Sequence, residues 1–216
     1  MRFRNPFKGR QPGQPVATQQ PPPPANQQGG SVYAQGEDAF DHKQYNQAQV
    51  LLAQACDGGQ PHACNTLGYL YHNSLGVPQD YARARTLYEK ACNGGDMDGC
   101  ANLGVLYQNS QGVPQDYTQA RTFYEKACDG GNMTACNNLG WLYQDNLQDY
   151  AQARTLYQKA CDGGFSARAL RGCTNLGYLY KNSLGVPQDY ARARTLYKKA
   201  CDGGVKVACD NLRKLP

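Results

Sequence analysis

The 216-residue sequence predicts an all-α protein, an α/α solenoid built of antiparallel helix hairpins. Two observations support this prediction. A Cys-x-Gly-Gly segment recurs at intervals of 33 to 40 residues, which is the period of a helical repeat array. Between these segments the apolar residues lie three and four positions apart, which is typical of one face of an α-helix. With 16 Tyr, 10 Cys and no Ile, we expect thin packed layers joined by covalent links.

The N-terminal segment, residues 1–30, is rich in Pro and Gln and contains Arg2, Arg4, Lys8 and Arg10 but no acidic residue. This composition cannot build a packed layer, so we predict a disordered, basic tail. Its four charges account for most of the net charge of +5, and the repeats are nearly neutral. A nucleic-acid-binding face needs clustered Lys and Arg on the fold itself, so we expect no nucleic-acid partner.

Neither a membrane span nor a secretory signal peptide is visible in the sequence. No apolar run approaches the ~18 residues that a spanning helix needs. The first thirty residues also lack the apolar core of a signal peptide, so export is not encoded in the usual form.

Each unit contains two helical segments, a Leu-Gly-x-Leu-Tyr box and a Tyr-x-x-Ala-x-x-x-Tyr-x-x-Ala segment. The turn between them predicts the end of the first helix and the beginning of the second. We expect Gly76 to take the left-handed position after the first helix and Pro78 to prevent the continuation of that helix. Asp80 is expected to cap the second helix. The predicted hairpins cover residues 31–56, 57–92, 93–128, 129–161 and 162–201, followed by a C-terminal capping helix at 205–215.

A glycine stands in the middle of each box, where it costs about 1 kcal/mol relative to Ala. We therefore expect a close helix approach there, with a Tyr of the partner helix in the notch. Two units are irregular. The third unit is three residues shorter in its turn, and the fourth inserts four residues within 165–172, about one helical turn, which predicts a longer helix in the same register.

The ten cysteines form five couples, each flanking a Gly-Gly turn between two antiparallel helices. Such a short connection can bring two Cα atoms to the ~5.5 Å that a disulfide requires, so we predict local pairing. Structural zinc, which favours C-x2–4-C pairs with His, and buried free thiols are the alternatives. The predicted pairs are Cys56 with Cys64, Cys92 with Cys100, Cys128 with Cys136, Cys161 with Cys173, and Cys201 with Cys209.

The variable position of the box lies opposite the apolar face of the first helix, which makes it a candidate for partner binding. Aromatic side chains beside amides suit extended peptides, because they combine rigid contact area with hydrogen bonds to a backbone. The alternative is that these side chains pack against the adjoining repeat. The candidate concave-face residues are Tyr69, Val105, Trp141 and Tyr178, flanked by Asn102, Asn138 and Asn175.

Catalytic constellations are absent from the sequence. No Ser is followed by Lys three residues later, so the S-x-x-K arrangement of serine β-lactamases is missing. Carboxylates do cluster at Glu37-Asp38 and from Asp96 to Asp98, where we expect a helix start and an inter-repeat turn, and helix capping is the ordinary role there. We expect no catalytic residue, no metal and no cofactor.

The repeated Cys-x-Gly-Gly segments, the Leu-Gly-x-Leu-Tyr boxes and the C-x7-C couples resemble the Sel1-like repeat family over residues 31–216. Within this tetratricopeptide-like family, the cysteines are similar to those of the branch that includes the Helicobacter cysteine-rich proteins. The resemblance implies a solenoid with a disulfide in each repeat, which binds a protein, a peptide, or an envelope or peptidoglycan-related ligand.

The resemblance also implies export, and so a periplasmic or secreted location. The missing signal peptide departs from the branch, and the alternatives are the mitochondrial intermembrane space or a cytoplasmic protein with reduced thiols. Some members of the branch are described as weak penicillin-binding β-lactam hydrolases. The sequence therefore predicts a non-enzymatic, disulfide-linked scaffold, with a β-lactam-hydrolysing protein as the alternative.

Overall fold

The computed structural model describes residues 25–164 and 166–216, and within them the chain forms helices and turns with no strand. This confirms the all-α class. The helices of the described residues are α1 (Ala25–Asp41), α2 (Tyr45–Asp57), α3 (Pro61–His72), α4 (Tyr81–Asn93), α5 (Met97–Gln108), α6 (Tyr117–Asp129), α7 (Met133–Asp145), α8 (Tyr150–Asp162), α9 (Ala167–Lys181), α10 (Tyr190–Asp202) and α11 (Lys206–Arg213).

The first helix starts earlier than the sequence predicts. Residues 25–30 were assigned to the tail, whereas α1 begins at Ala25. The rest of the predicted tail, residues 1–24, lies outside the described residues.

The even-numbered helices from α4 to α10 begin at a side-chain cap. Asp80 Oδ1 accepts a hydrogen bond of 2.9 Å from the backbone N–H of Arg83, as predicted for this turn. Such a cap stabilises a helix by about 1 kcal/mol, because it satisfies one of the N–H groups that the first turn leaves unpaired. The same cap recurs at Asp116, Asp149 and Asp189.

The prediction for Gly76 is wrong in one respect. Helix α3 ends with Asn73 as its C-cap, and Ser74 follows with a φ of 57°, so Ser74 takes the left-handed position. Gly76 has a φ of 68° two residues later. A Cβ atom there would lie 2.5 Å from Cβ of Tyr45 in the preceding hairpin. Gly76 therefore permits close contact between hairpins and does not end the helix.

The glycine in each box receives a buried tyrosine, as predicted. A Cβ atom at Gly104 would lie 2.5 Å from the ring of Tyr124, which is fully buried. The first hairpin places the side chain of Leu52 against Gly36 in the same way. The other pairs are Gly68 with Tyr88, Gly140 with Tyr157, and Gly177 with Tyr197.

A disulfide closes every junction between hairpins, which confirms the local pairing. The Cα–Cα distances lie between 4.5 and 4.7 Å, and no cysteine of the described chain is free, so the zinc and free-thiol interpretations do not apply to these residues. The bonds join Cys56 to Cys64, Cys92 to Cys100, Cys128 to Cys136, Cys161 to Cys173, and Cys201 to Cys209.

The four-residue insertion lengthens α9 to 15 residues, as its length of about one turn predicts. Helix α3 begins three residues before Cys64, whereas α9 begins six residues before Cys173. The extra turn therefore lies at the start of α9, and the disulfide still forms across the longer connection.

The odd-numbered helices form the inner surface of the solenoid. Helix α1 contacts α3, α3 contacts α5, α7 contacts α9, and α9 contacts α11. No comparable contact joins two even-numbered helices in the described part of the chain. Helices that approach their counterparts more closely lie on the shorter, concave side of a curved array. Among the described residues, no helix is long and apolar enough to cross a bilayer.

Candidate functional site: a groove across the odd-numbered helices

A groove of about 590 Å³ crosses the concave surface and is lined by residues of α1, α3, α5, α7 and α9 and the turn before α7. It therefore draws on five successive hairpins. Its lining is mostly polar, with amide and charged side chains. The amides are those of Asn65, Asn102, Asn132, Asn137 and Asn138, and the charged residues are Glu37, Asp41, Asp98, Arg168 and Arg171.

Two hydrogen bonds join the amides of neighbouring repeats. Asn102 Nδ2 donates to Asn65 Oδ1 at 2.8 Å, and Asn175 Nδ2 donates to Asn137 Oδ1 at 2.9 Å. Two of the predicted binding residues thus hold adjacent helices together. An asparagine amide carries two N–H donors and one acceptor oxygen, so a single bond of this kind leaves capacity for a ligand.

The groove brings together three of the seven predicted residues, Tyr69, Asn102 and Asn138. Tyr69 is 40% exposed, and its ring packs edge-on against Phe40 with the centroids 6.0 Å apart. The side chain reaches the groove while contacting the preceding hairpin.

The other predicted residues lie outside the groove lining. Trp141 and Tyr178 are 36% and 44% exposed on α7 and α9. Val105 is half-buried and packs against the hydrophobic core. Asn175 is half-buried and occupied by its bond to Asn137.

The groove carries opposite charges on its two outermost helices. Glu37 and Asp41 lie on α1, and Arg168 and Arg171 lie near the start of α9, with Arg168 on its added turn. Glu37 is in the second half of α1, so the expectation that it marks a helix start is wrong. Its Oε1 atom is buried with no hydrogen-bond partner among the described residues. Burial raises the pKa of Glu37, the nearby Thr66 hydroxyl and His62 ring oppose this rise, and the Asp41 carboxylate adds to it.

Sequence reasoning did not assign a site to these four charged residues. A usable signal was present in α9, because Arg168 on the added turn and Arg171 are three residues apart, which is the spacing of one helix face. No such signal marks Glu37 and Asp41. Their position in the groove depends on how successive hairpins stack, which the sequence pattern does not show.

The acidic cluster around Asp96 is structural, as predicted. Asp96 is 1% exposed and caps α5, where Oδ1 accepts from the backbone N–H of Gly99 at 2.8 Å. Its Oδ2 lies 2.6 Å from Nδ1 of His62 in the preceding repeat. Asn132 Nδ2 makes the equivalent link by donating to Asp98 Oδ1 at 2.6 Å. Cap residues therefore connect successive odd-numbered helices along one edge of the groove.

The family model for the Sel1 repeat matches this chain four times, over residues 61–96, 98–132, 134–165 and 170–205. The chain belongs to the Sel1 repeat family. These matches confirm the resemblance to this family that the repeated boxes and the cysteines indicate in the sequence. A comparison of this Sel1 repeat chain with the curated proteins found no match.

Solved structures of other Sel1 repeat proteins share the fold. The c5321 protein, a protective antigen of uropathogenic Escherichia coli strains, is 30% identical over 87% of this chain, with a TM-score of 0.73. A Sel1 repeat protein of Oxalobacter formigenes is 27% identical over 84% of the chain, also with a TM-score of 0.73. This chain spans 41% of the length of the first and 72% of the second. Cysteine-rich protein B of Helicobacter pylori is 27% identical over 52% of this chain and 95% of its own, with a TM-score of 0.42.

Proposed function

We propose that this Sel1 repeat protein is a non-catalytic scaffold that binds a protein or peptide along the groove of its odd-numbered helices. One observation supports this most strongly. A continuous polar groove crosses five hairpins, while the buried tyrosines and leucines that hold the hairpins together lie beneath its lining. A groove that crosses five hairpins suits an extended chain, because such a chain can contact each hairpin in turn.

The chemistry of the groove also favours a peptide. The amides can bond to the N–H and C=O groups of an extended backbone, which every peptide offers regardless of its sequence. Tyr69 adds an exposed aromatic surface within the groove, and Trp141 and Tyr178 add two more on the same set of helices. Aromatic residues are frequent anchors in protein interfaces because they bury much area with few rotatable bonds.

The five disulfides favour an oxidising setting, and we propose a periplasmic or secreted location with a partner in the cell envelope or outside the cell. An envelope or peptidoglycan-related ligand belongs to this proposal. The groove lining favours this function over the alternative of β-lactam hydrolysis, because it contains neither the serine nor the lysine on which serine β-lactamases depend.

The experiment is selection of a random dodecapeptide library on the immobilised protein, followed by fluorescence anisotropy of a selected, labelled peptide. We expect the double variant Tyr69→Ala/Asn138→Ala to weaken binding about tenfold or more, the loss typical of central interface residues. A second variant, Trp141→Ala/Tyr178→Ala, reports whether the aromatic pair outside the groove contributes.

The matched control is Tyr117→Ala/Tyr190→Ala. These two tyrosines are 37% and 39% exposed, close to the exposure of Tyr69, but they lie on the even-numbered helices α6 and α10. We expect the control to bind within about twofold of the unmodified protein. The proposal is contradicted if the control variant loses binding as much as the groove variant, or if no peptide is enriched.

A further inference from the structure

The positive charge of the groove lies at the start of α9, in the unit that carries the insertion. Arg168 has no counterpart in the other hairpins, because it lies on the turn that the insertion adds to α9. Arg171 stands two residues before Cys173, where the equivalent residues are His62, Asp98 and Thr134. The irregular spacing of the fourth cysteine couple therefore coincides with a local change in the charge of the groove.

Both arginines are exposed and available to a ligand. Neither one takes part in a salt bridge or a side-chain hydrogen bond within the described residues, whereas several other cations of the repeats are paired. Arg168 and Arg171 are three residues apart, so both side chains project from the same face of α9 into the groove lining. The positive end of the helix dipole at the start of α9 adds to their field.

The opposite end of the groove is acidic. Asp41 is exposed without a salt bridge in the described residues, and Glu37 is half-buried one helical turn earlier in the same lining. An exposed, unpaired carboxylate can accept charge-assisted hydrogen bonds from a cationic group of a ligand. Asp98 lies between the two ends, but its Oδ1 atom already accepts a bond from Asn132.

The distance between the two ends suits a peptide of moderate length. Four steps between adjacent odd-numbered helices, at roughly 8–10 Å for each pair of packed helices, separate α1 from α9. An extended chain advances roughly 3.3–3.6 Å per residue, so about nine to twelve residues cover this path.

We propose that the groove binds an extended peptide with a basic end and an acidic end, whose acidic residues contact Arg168 and Arg171 and whose basic residues contact Glu37 and Asp41. This inference rests on the proposed function and adds the charge pattern and orientation of the ligand. The asparagine amides between the two ends bond to the peptide backbone, so they do not select for charged side chains in the middle of the peptide. The insertion in the fourth repeat then contributes to specificity, because it adds Arg168 one helical turn before Arg171.

The test uses two fluorescein-labelled peptides of about twelve residues with the same composition. In the first, three Lys and three Glu form separate blocks at the two ends of a Gly/Ser/Asn spacer. In the second, the same residues alternate. We expect the unmodified protein to prefer the block peptide about fivefold or more at low ionic strength, as several exposed charge pairs would allow. The preference should fade at about 0.5 M salt, where screening shortens the reach of each charge to a few ångströms.

The variant Arg168→Gln/Arg171→Gln should lose this preference and bind both peptides equally. Its matched control is Arg154→Gln/Lys198→Gln, which removes two exposed positive charges from the even-numbered helices α8 and α10. The control should retain the preference. Asp41→Lys, at the exposed carboxylate of the other end, should also weaken binding of the block peptide. Unchanged far-ultraviolet circular dichroism and thermal midpoint in each variant show that the fold is kept.

Equal binding of the two peptides to the unmodified protein overturns the inference, and so does a preference that survives in the arginine double variant. Failure of both peptides to bind also overturns it. None of these results contradicts the proposed function, which depends on the library selection and on the Tyr69/Asn138 variant. Failure of the proposed function would be recognised by a different result: a selected peptide that binds the even-numbered helices contradicts the proposed function itself.

Discussion

The four buried tyrosines that fill the glycine notches each carry a hydroxyl group that needs a hydrogen-bond partner. In three repeats, the residue directly after the Leu-Gly-x-Leu-Tyr box meets this need. In the fourth, Lys181 occupies that place, and the buried hydroxyl of Tyr197 has no partner in the described residues. Lysine offers only donors, whereas the other repeats provide an acceptor. The paired contacts are Tyr88 Oη with His72 Nδ1 at 3.3 Å, Tyr124 Oη with Gln108 Oε1 at 2.6 Å, and Tyr157 Oη with Gln144 Oε1 at 3.1 Å.

We predict that Lys181→Gln stabilises the protein. The glutamine would supply the acceptor that Tyr197 lacks, and a buried hydrogen bond of this kind contributes about 1 kcal/mol to the free energy of unfolding. Urea unfolding followed by circular dichroism measures the change. Lys198→Gln, which removes an exposed lysine one residue beyond Tyr197, is the control and should change stability by less than about 0.5 kcal/mol. An unchanged or reduced stability for Lys181→Gln would show that the hydroxyl is already satisfied.

At the scale of the elements, the turns between helices decide how well each hairpin covers the one before it. The turn glycine of a hairpin packs against the first tyrosine of the preceding even-numbered helix, as Gly112 does against Tyr81. The third unit lacks this glycine and the Val and Pro that follow it. Tyr117 is consequently 37% exposed, and Leu147 in the shortened turn is 53% exposed.

We predict that restoring the longer turn stabilises the array. Residues 145–148 would be replaced by the seven residues of the first complete turn, Asn-Ser-Leu-Gly-Val-Pro-Gln, which correspond to positions 73–79. The added Gly and Val should cover Tyr117, and burial of a further ~40 Å² of apolar surface contributes roughly 1 kcal/mol. The measurement is the midpoint of thermal unfolding under oxidising conditions. A control insertion of three glycines at the same place should destabilise the protein, since it lengthens the turn without covering Tyr117. A restored turn no more stable than this control would disprove the packing argument.

The regular features of these elements could be predicted from the sequence because they depend on residues that are close along the chain. The pairing of Cys56 with Cys64 follows from a short loop, and the notch at Gly104 follows from a helical period. The role of Gly76 could not be predicted in this way. Its positive φ serves a contact with Tyr45, about thirty residues earlier, and local turn chemistry contains no information on that contact.

At the scale of the whole molecule, the groove arises from the stacking of hairpins. The sequence predicted which face of each odd-numbered helix points away from its partner, and Tyr69, Asn102 and Asn138 do line the groove. The sequence did not predict the two charged ends. Glu37 and Arg168 are about 130 residues apart, and both line the same groove only because the array is curved. Curvature depends on small rotations at every repeat junction, which periodicity does not encode.

The disulfides affect this surface through the rigidity of the junctions. Each one links the end of an even-numbered helix to the start of the next odd-numbered helix, so the odd-numbered helices keep fixed positions relative to one another. A groove whose shape exists before binding costs less conformational entropy when a peptide enters it. The covalent links and the amide bonds from Asn102 and Asn175 therefore act together to keep the groove in a defined shape.

The most direct test of the central claim is a nuclear magnetic resonance titration of the oxidised protein with the selected peptide, read at the side-chain amide signals of asparagine. We predict that the signals of Asn102 and Asn138 shift in proportion to the bound fraction. The signal of Asn46, an exposed asparagine on α2, should remain unchanged. Shifts confined to asparagines outside the groove, with Asn102 and Asn138 unaffected by a saturating peptide, would contradict the account.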